Sequence, residues 1–177
     1  MKETILLLLG FVLVNNYALT GAFGLAPLLG FSRRRDQILV LGLSVTGVTL
    51  LAAVLLWLLR GAIPAYWQIL AAVAVVLALV YVLQLALGKK LGFWFPAIAL
   101  NGAVFALALN VGSVETFGGV IVRALGVGLG FLFGLFLLHG VQEKIEQDHL
   151  PKAFRGFPIQ LLAAAIVALA LTAFNFQ

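Results

Sequence analysis

Residues 8–30 of the chain are LLGFVLVNNYALTGAFGLAPLLG, an apolar stretch interrupted by polar amides, glycines and a proline. An apolar run of this length is typical of a membrane span, but Gly and Pro release backbone N–H and C=O groups that lipid cannot bind. Such an interruption persists only where protein, water or a ligand satisfies those groups. The stretch therefore predicts a broken helix that lies against other parts of a membrane protein.

A second interrupted stretch lies in the other half of the chain. Residues 95–104 are FPAIALNGAV, and Asn110 and Gly112 follow them. Each half of the chain thus begins with a polar, interrupted span and continues with two cleaner ones. Because three spans are an odd number, the second half must enter the membrane in the opposite direction. Paired discontinuous helices of this kind mark midplane binding sites in many transport proteins.

The composition of the whole chain agrees with a membrane protein. Of its 177 residues, 64% are hydrophobic and 10% are charged, whereas a soluble domain has about 45–50% and about 25%. The apolar runs cover residues 4–20, 38–59, 65–87, 93–111, 118–139 and 159–174. We predict an all-α integral membrane protein with six transmembrane helices, arranged as a 3+3 inverted repeat in which helices one and four are interrupted. The repeats are residues 1–88 and 89–177 of a single membrane domain.

The basic residues predict the orientation of the chain. Most of the 11 Lys and Arg residues follow spans one, three and five, and they include Arg33, Arg34, Arg35, Lys89, Lys90 and Arg155. By the positive-inside rule these loops are cytoplasmic and both termini lie outside. Topology explains the net charge of +5, so we expect no nucleic-acid partner. The polar segment 140–157 is either a solvated connector or a docking surface for a cytoplasmic partner.

The candidate residues for a midplane site lie at the two interruptions: Asn15, Asn16, Ala26, Pro27, Asn101 and Gly102. The amides among them either cap the broken helices and bind neighbouring helices, or form a site for an ion or a redox centre. No Asp or Glu lies well inside an apolar run. We therefore do not expect a proton relay built from carboxylates within this chain.

Span five contains a ladder of small residues, Gly126, Gly130 and Gly134, at four-residue spacing. Such a ladder lets another helix approach closely. We predict a helix-packing surface, whose partner helix belongs either to this chain or to another. His139 and His149 have no acidic partner at a recognisable metal-ligand spacing, and the chain has no Cys. We therefore expect neither a metal site nor a catalytic group.

Residues 8–30, together with the following Ser-Arg-Arg, resemble the opening of the RnfA/NqrE-type membrane subunits of Rnf and Nqr complexes. The stretch 95–104 resembles their second signature, and residues 151–156, PKAFRG, are similar to the connector before their last helix. The resemblance covers essentially the whole chain. It implies a subunit of a respiratory complex that couples electron transfer to Na⁺ or H⁺ movement across the inner membrane. It also implies, as partners, further Rnf/Nqr-type subunits that include an oppositely oriented homologous one.

The same resemblance implies that each of the two related subunits supplies two cysteines to a [2Fe–2S] cluster within the membrane. It places these cysteines at Ala26 and Gly102, and neither residue has a donor side chain. We therefore expect this chain alone to bind no cofactor. At most, it is a non-catalytic subunit of an ion-translocating oxidoreductase.

Three functional hypotheses are open at this point. The first is a Cys-free subunit of the RnfA/NqrE type, a scaffold or ion-path element in the bacterial inner membrane with both termini periplasmic. The second is a stand-alone carrier or channel, for instance a homodimer, built on the same inverted-repeat scaffold. The third is an engineered variant whose cysteines were removed. In each case the chain is surrounded by membrane lipid.

Overall fold

The computed structural model describes residues 2–14, 16–19, 21, 23–24, 27, 29, 35–91, 95–99, 101–145 and 151–173. All regular structure within these ranges is helical. We number its α-helices α1 (Lys2–Leu9), α2 (Arg35–Leu59), α3 (Gln68–Leu91), α4 (Phe95–Ala99), α5 (Gly102–Asn110), α6 (Phe117–Lys144) and α7 (Phe157–Thr172). A π-helical turn, Gly10–Val14, continues α1, and short 3₁₀ turns occur at Ala65–Trp67, Val111–Ser113 and Lys152–Phe154.

Three segments are long and apolar enough to cross a membrane: Ile38–Leu59, Gln68–Ala86 and Phe117–Lys144. The other apolar segments are shorter, because α1 passes into the π-helical turn, α4 and α5 are separate helices, and α7 has 16 residues. The all-helical membrane fold is thus confirmed, and the predicted six spans fit the described helices.

Two helix boundaries differ from the sequence prediction. The fifth span continues past residue 139 to Lys144, so the first residues of the expected connector are helical. Gln, Glu and Lys favour the helix, and the positive charge of Lys144 lies in the last turn, where the helix dipole favours it. The last helix begins at Phe157 rather than 159, because Pro158 is tolerated in the first turn, where its missing N–H removes no helical hydrogen bond.

Both predicted interruptions occur. After the π-helical turn ends at Val14, the chain continues through Asn16 into turns at residues 17–19, 21 and 23–24. In the second half, α4 ends at Ala99 and Asn101 has an extended backbone (φ −76°, ψ 107°) before α5 begins. Neither apolar stretch is therefore a continuous helix.

The central helix α6 packs against α2 and against the first interrupted segment. Helix α2 runs antiparallel to α6, since Gly42 lies against Leu132, Thr46 against Gly128, and the ring of Trp57 is 5.4 Å from that of Phe117. The first segment runs parallel to α6, with Phe11 against Gly126 and Asn16 against Gly130. The buried side chains between these elements include Ile38, Leu41, Val45, Phe131, Leu135 and Leu138.

The helix directions bring several basic positions to one end of the bundle. Because α2 and α6 are antiparallel, Arg35 at the start of α2 lies at the same end as Lys144 at the end of α6. Helix α3 returns along α2 after the turn at residues 60–67, so Lys89 and Lys90 also reach this end. The opposite end contains Trp57, Arg60 and Phe117.

Candidate functional site

Asn16 stabilises the first interruption through its amide side chain, which is 1% exposed. Its Oδ1 accepts hydrogen bonds from the backbone N–H groups of Ala18 (3.0 Å) and Leu19 (3.2 Å). Its Nδ2 donates to the carbonyl oxygens of Val12 (2.8 Å) and Gly130 (2.9 Å). The amide thus satisfies backbone groups that the broken helix releases, and it joins the interruption to α6.

The predicted glycine ladder of α6 explains how the hydrogen bond between Asn16 and the Gly130 carbonyl forms. A Cβ atom at Gly126 would lie 2.6 Å from the Cβ of Phe11, and one at Gly130 would lie 3.0 Å from the Phe11 carbonyl oxygen. Only glycine at these positions lets the first segment come within hydrogen-bonding distance of the α6 backbone. Gly134 is also buried. The helix that packs on Gly126 and Gly130 belongs to this chain.

Asn101 occupies the equivalent place at the second interruption but makes fewer bonds. Its Oδ1 accepts a hydrogen bond from the backbone N–H of Ala103 (3.0 Å), which caps the start of α5. Its backbone carbonyl accepts from Val104 (3.1 Å) and Phe105 (3.4 Å). The side chain is 0% exposed, and its Nδ2 has no hydrogen-bond partner within the part of the chain that the structure describes.

The two interruptions meet at Gly102. A Cβ atom built on this glycine would overlap the carbonyl oxygen of Phe23 and would lie 3.0 Å from the carbonyl carbon and 3.3 Å from Cα. The start of α5 therefore rests directly on the backbone of the first segment. Because Asn101 precedes Gly102, its Nδ2, which has no partner among the described residues, belongs to the same junction. We call this place the Phe23–Gly102 junction.

The remaining predicted site residues are placed as follows. Asn15, Ala26, Arg33 and Arg34 lie outside the described residues, while Pro27 is buried in a helical conformation. Arg35, Lys89 and Lys90 lie at helix ends, and Arg155 is exposed in the turn before α7. The structure therefore brings Asn101 and Gly102 together with the segment of Asn16.

A cluster at the opposite end of the bundle was not predicted. The carbonyl oxygen of Val114 accepts hydrogen bonds from Trp57 Nε1 (2.9 Å) and Arg60 Nη1 (2.8 Å). The guanidinium group of Arg60 also lies over the Trp57 ring, 4.3 Å from its centroid. These contacts hold the connection between α5 and α6 against the end of α2. The sequence carries no signal for them, since they join residues more than fifty positions apart.

His139 has one acidic neighbour that the sequence analysis did not consider. Its Nε2 lies 3.3 Å from Glu143 Oε1, one helical turn further along α6. This i, i+4 spacing is visible in the sequence, but it became relevant only because α6 continues past residue 139. No group of three or more His, Cys, Asp or Glu that could hold a metal ion occurs among the described residues.

The chemistry available at the junction is therefore that of amides and backbone carbonyls. The NH2 group of Asn101 can donate hydrogen bonds to an acceptor, and the Asn16 amide is occupied in joining the segments. Such groups can position chain segments or bind a polar ligand.

Comparison with known proteins gives a full-length match. The family model described as Rnf-Nqr subunit, membrane protein, matches residues 4–177. The chain is 36% identical to a subunit of the ion-translocating oxidoreductase complex of Syntrophotalea carbinolica, over 98% of this chain and 97% of that protein. It is 32% identical to a subunit of the Na(+)-translocating ferredoxin:NAD(+) oxidoreductase complex of Acetobacterium woodii, over 97% of this chain and 96% of that protein.

Proposed function

Because the chain belongs to the Rnf-Nqr subunit family of membrane proteins, we propose that it is a multi-spanning subunit of an ion-translocating electron transport complex. Relatives at 32% and 36% identity, aligned over nearly their whole length, are named as subunits of such complexes. The observation that carries the proposal is the meeting of both interrupted segments at the Phe23–Gly102 junction. This arrangement places two broken helices together inside a membrane bundle.

Within the complex, the chain acts as a scaffold or ion-path element without redox ligands of its own. The [2Fe–2S] cluster implied by the family resemblance needs thiolate ligands, and the chain has no Cys. The two positions that the resemblance assigns to the cluster ligands are Ala26 and Gly102, and neither residue has a donor atom in its side chain. The residues at the junction therefore do not fit the cluster, and the chain contributes no catalytic group.

The proposal includes an inverted relation between the two halves, residues 1–88 and 89–177. In support, the second helices of the two halves, α2 and α6, are antiparallel. The first interrupted segment and α5 also run in opposite directions, because α5 leads to Val114 at the Trp57 end. The partners that this arrangement would suit are Rnf/Nqr-type subunits, including an oppositely oriented homologous one, and a homodimer is the alternative.

The proposed location is the bacterial inner membrane, with both termini on the periplasmic side. The basic positions at one end of the bundle favour a cytoplasmic location for that end. The lack of cysteine allows a direct test, since a single introduced thiol has no background. We expect a membrane-impermeant maleimide to label Gly61→Cys in intact spheroplasts and to label Lys152→Cys only after permeabilisation. Both sites are exposed, and the reverse pattern would contradict the orientation.

Purification of the tagged chain in a mild detergent tests membership of the complex. We expect it to bring with it redox subunits that contain flavin or iron–sulfur centres, together with a homologous membrane subunit. A matched preparation in a harsh detergent controls for non-specific association. Isolation of the chain alone, under conditions that keep a related complex intact, would refute the proposal.

A stand-alone carrier or channel is the second candidate. It is favoured by Asn101 Nδ2, which is buried and has no hydrogen-bond partner among the residues that the structure describes. A buried donor without a partner is uncommon in proteins and is explained when a ligand supplies the acceptor. In liposomes that contain only this chain, we would then expect solute or ion flux that Asn101→Leu lowers. Asn110→Leu is the control, because Asn110 is exposed and its amide bonds to Ala106 in its own helix. Absence of flux for all solutes tested would remove this candidate.

A further inference from the structure

The glycine at the Phe23–Gly102 junction differs from its neighbours in the amount of space around it. A Cβ atom at Gly102 would overlap a backbone carbonyl oxygen, whereas one at Gly112, at the other end of the same segment, would meet nothing within 4 Å. Backbone atoms cannot rotate away as the end of a side chain can. Any side chain at position 102 therefore requires the two segments to separate.

The segment that carries Phe23 is held in place by several contacts. The N–H of Phe23 donates to the Tyr17 carbonyl (3.1 Å), and the N–H of Gly21 donates to the Asn16 carbonyl (3.2 Å). The rings of Tyr17 and Phe23 pack edge to face, 6.3 Å apart. The Asn16 amide then joins the start of this turn to Gly130 of α6. Movement of Phe23 would disturb bonds that reach the centre of the bundle.

The other side of the junction is restrained as well. The Asn101 side chain caps α5 through Ala103, and the Asn101 N–H donates to the Ile98 carbonyl (3.4 Å). Residues Ala103 and Val104, which follow Gly102, are 0% and 1% exposed. The beginning of α5 is therefore buried in the bundle, and a movement away from Phe23 would disturb its packing.

We propose that the two interrupted helices pack backbone against backbone at Gly102, and that position 102 cannot hold a metal-ligating side chain. The chain then differs from the family by more than a missing sulfur atom, because the Phe23 backbone occupies the position that the Cβ atom of a cysteine at 102 would need. Restoring thiols at positions 26 and 102 would not recreate half of a cluster site. This inference rests on the proposed function in one respect, which is that position 102 corresponds to a cluster ligand of the family.

The first test compares the full-length chain with substitutions at two glycines of the same segment. We expect Gly102→Ala to lower the melting temperature in detergent by about 3–10 °C, since overpacking against backbone is costly. Gly102→Cys should lower it at least as much. The matched variants Gly112→Ala and Gly112→Cys should stay within about 2 °C of the unsubstituted chain. Equal melting temperatures for Gly102→Ala and Gly112→Ala would overturn the inference.

A milder variant keeps the inference testable if Gly102→Ala does not accumulate. Gly24 lies on the same turn as Phe23, and a Cβ atom there would lie 3.0 Å from Ala18 Cβ and 3.3 Å from the Phe131 ring. We expect Gly24→Ala to give a fall in melting temperature between those of Gly112→Ala and Gly102→Ala. A Gly24→Ala chain as stable as Gly112→Ala would show that the turn yields, which would overturn the inference.

The second test addresses the metal directly. We expect the double variant Ala26→Cys, Gly102→Cys, expressed with the other subunits of its complex, to contain no more iron than the complex with the unsubstituted chain. About two additional irons with new visible absorption would show that the site opens, and would overturn the inference. The purification experiment is independent: a chain that co-purifies with redox subunits but tolerates Gly102→Ala keeps the proposed function and loses only this inference.

Discussion

At the first interruption the Asn16 amide makes at least four hydrogen bonds, one of them to Gly130 of α6. At the second, within the described part of the chain, the Asn101 amide makes one, and its buried Nδ2 has no partner. A buried polar group without a partner costs about 1–3 kcal/mol. The first interruption is therefore strongly tied to the bundle, while the second retains a group that can bind an acceptor.

The difference arises from what each segment packs against. The first lies on the glycine ladder of α6, where the backbones come close enough for an amide to join them. The second packs against α2, α3 and α6, and its far end is held by the bonds of Trp57 and Arg60 to Val114. The same residue type thus makes more hydrogen bonds at the first break than at the second.

The largest effect is expected for Asn16→Ala. It leaves the N–H groups of Ala18 and Leu19 without the acceptor that Asn16 provides, at about 1–3 kcal/mol each, and it removes the hydrogen bond that joins the first segment to the Gly130 carbonyl. We expect a loss of about 3 kcal/mol or more in thermal or denaturant unfolding in detergent. Asn110→Ala, at an exposed amide, should change stability by less than about 0.5 kcal/mol. Similar losses for both variants would contradict the role of Asn16.

A smaller loss of stability is expected for Gly126→Ala, which tests the packing of the first segment on α6. The added methyl group would lie 2.6 Å from the Cβ of Phe11, and overpacking of this kind costs about 1–3 kcal/mol. Gly140→Ala is the control in the same helix, because nothing lies within 4 Å of its Cβ position. The control should be neutral or more stable by up to about 1 kcal/mol, and a stabilising Gly126→Ala would refute the close approach.

Serine at the second interruption should have a still smaller effect. In Asn101→Ser the hydroxyl oxygen can still cap the N–H of Ala103, and the unpaired amide N–H is removed. We expect a change of about 1 kcal/mol or less in unfolding free energy. The same substitution at Asn16 should cost clearly more, because a hydroxyl has one donor and cannot replace the two hydrogen bonds that Asn16 Nδ2 donates. Equal costs at the two positions would remove the distinction between the interruptions.

The smallest effect is expected for Trp57→Phe at the far end of the second segment. The Val114 carbonyl loses one donor but keeps Arg60 Nη1 at 2.8 Å, so the loss should be about 0.5–1 kcal/mol. The double variant Trp57→Phe, Arg60→Gln should lose more than the sum of the two single variants, because the carbonyl then has neither donor. Strict additivity would show that the two donors do not share this role.

Much of the architecture followed from hydropathy and from helix-breaking residues. Apolar runs without acidic residues predicted membrane helices, and Gly, Pro and Asn predicted the two interruptions, because these residues act through local backbone geometry. The end of α6 was misplaced by five residues, since Gln, Glu and Lys look like a connector in a membrane sequence although they continue a helix well. The pairing of His139 with Glu143 was missed for the same reason.

The sequence by itself determined the helical membrane fold, the two broken helices and the lack of thiol ligands, because each depends on composition or on neighbours along the chain. Only the tertiary structure decided that the chain's own first segment packs on the glycine ladder, that Asn16 bonds to Gly130, and that Gly102 contacts the Phe23 backbone. These contacts join residues about eighty to more than a hundred positions apart. Their geometry depends on helix packing to within a few tenths of an ångström, which no local pattern encodes.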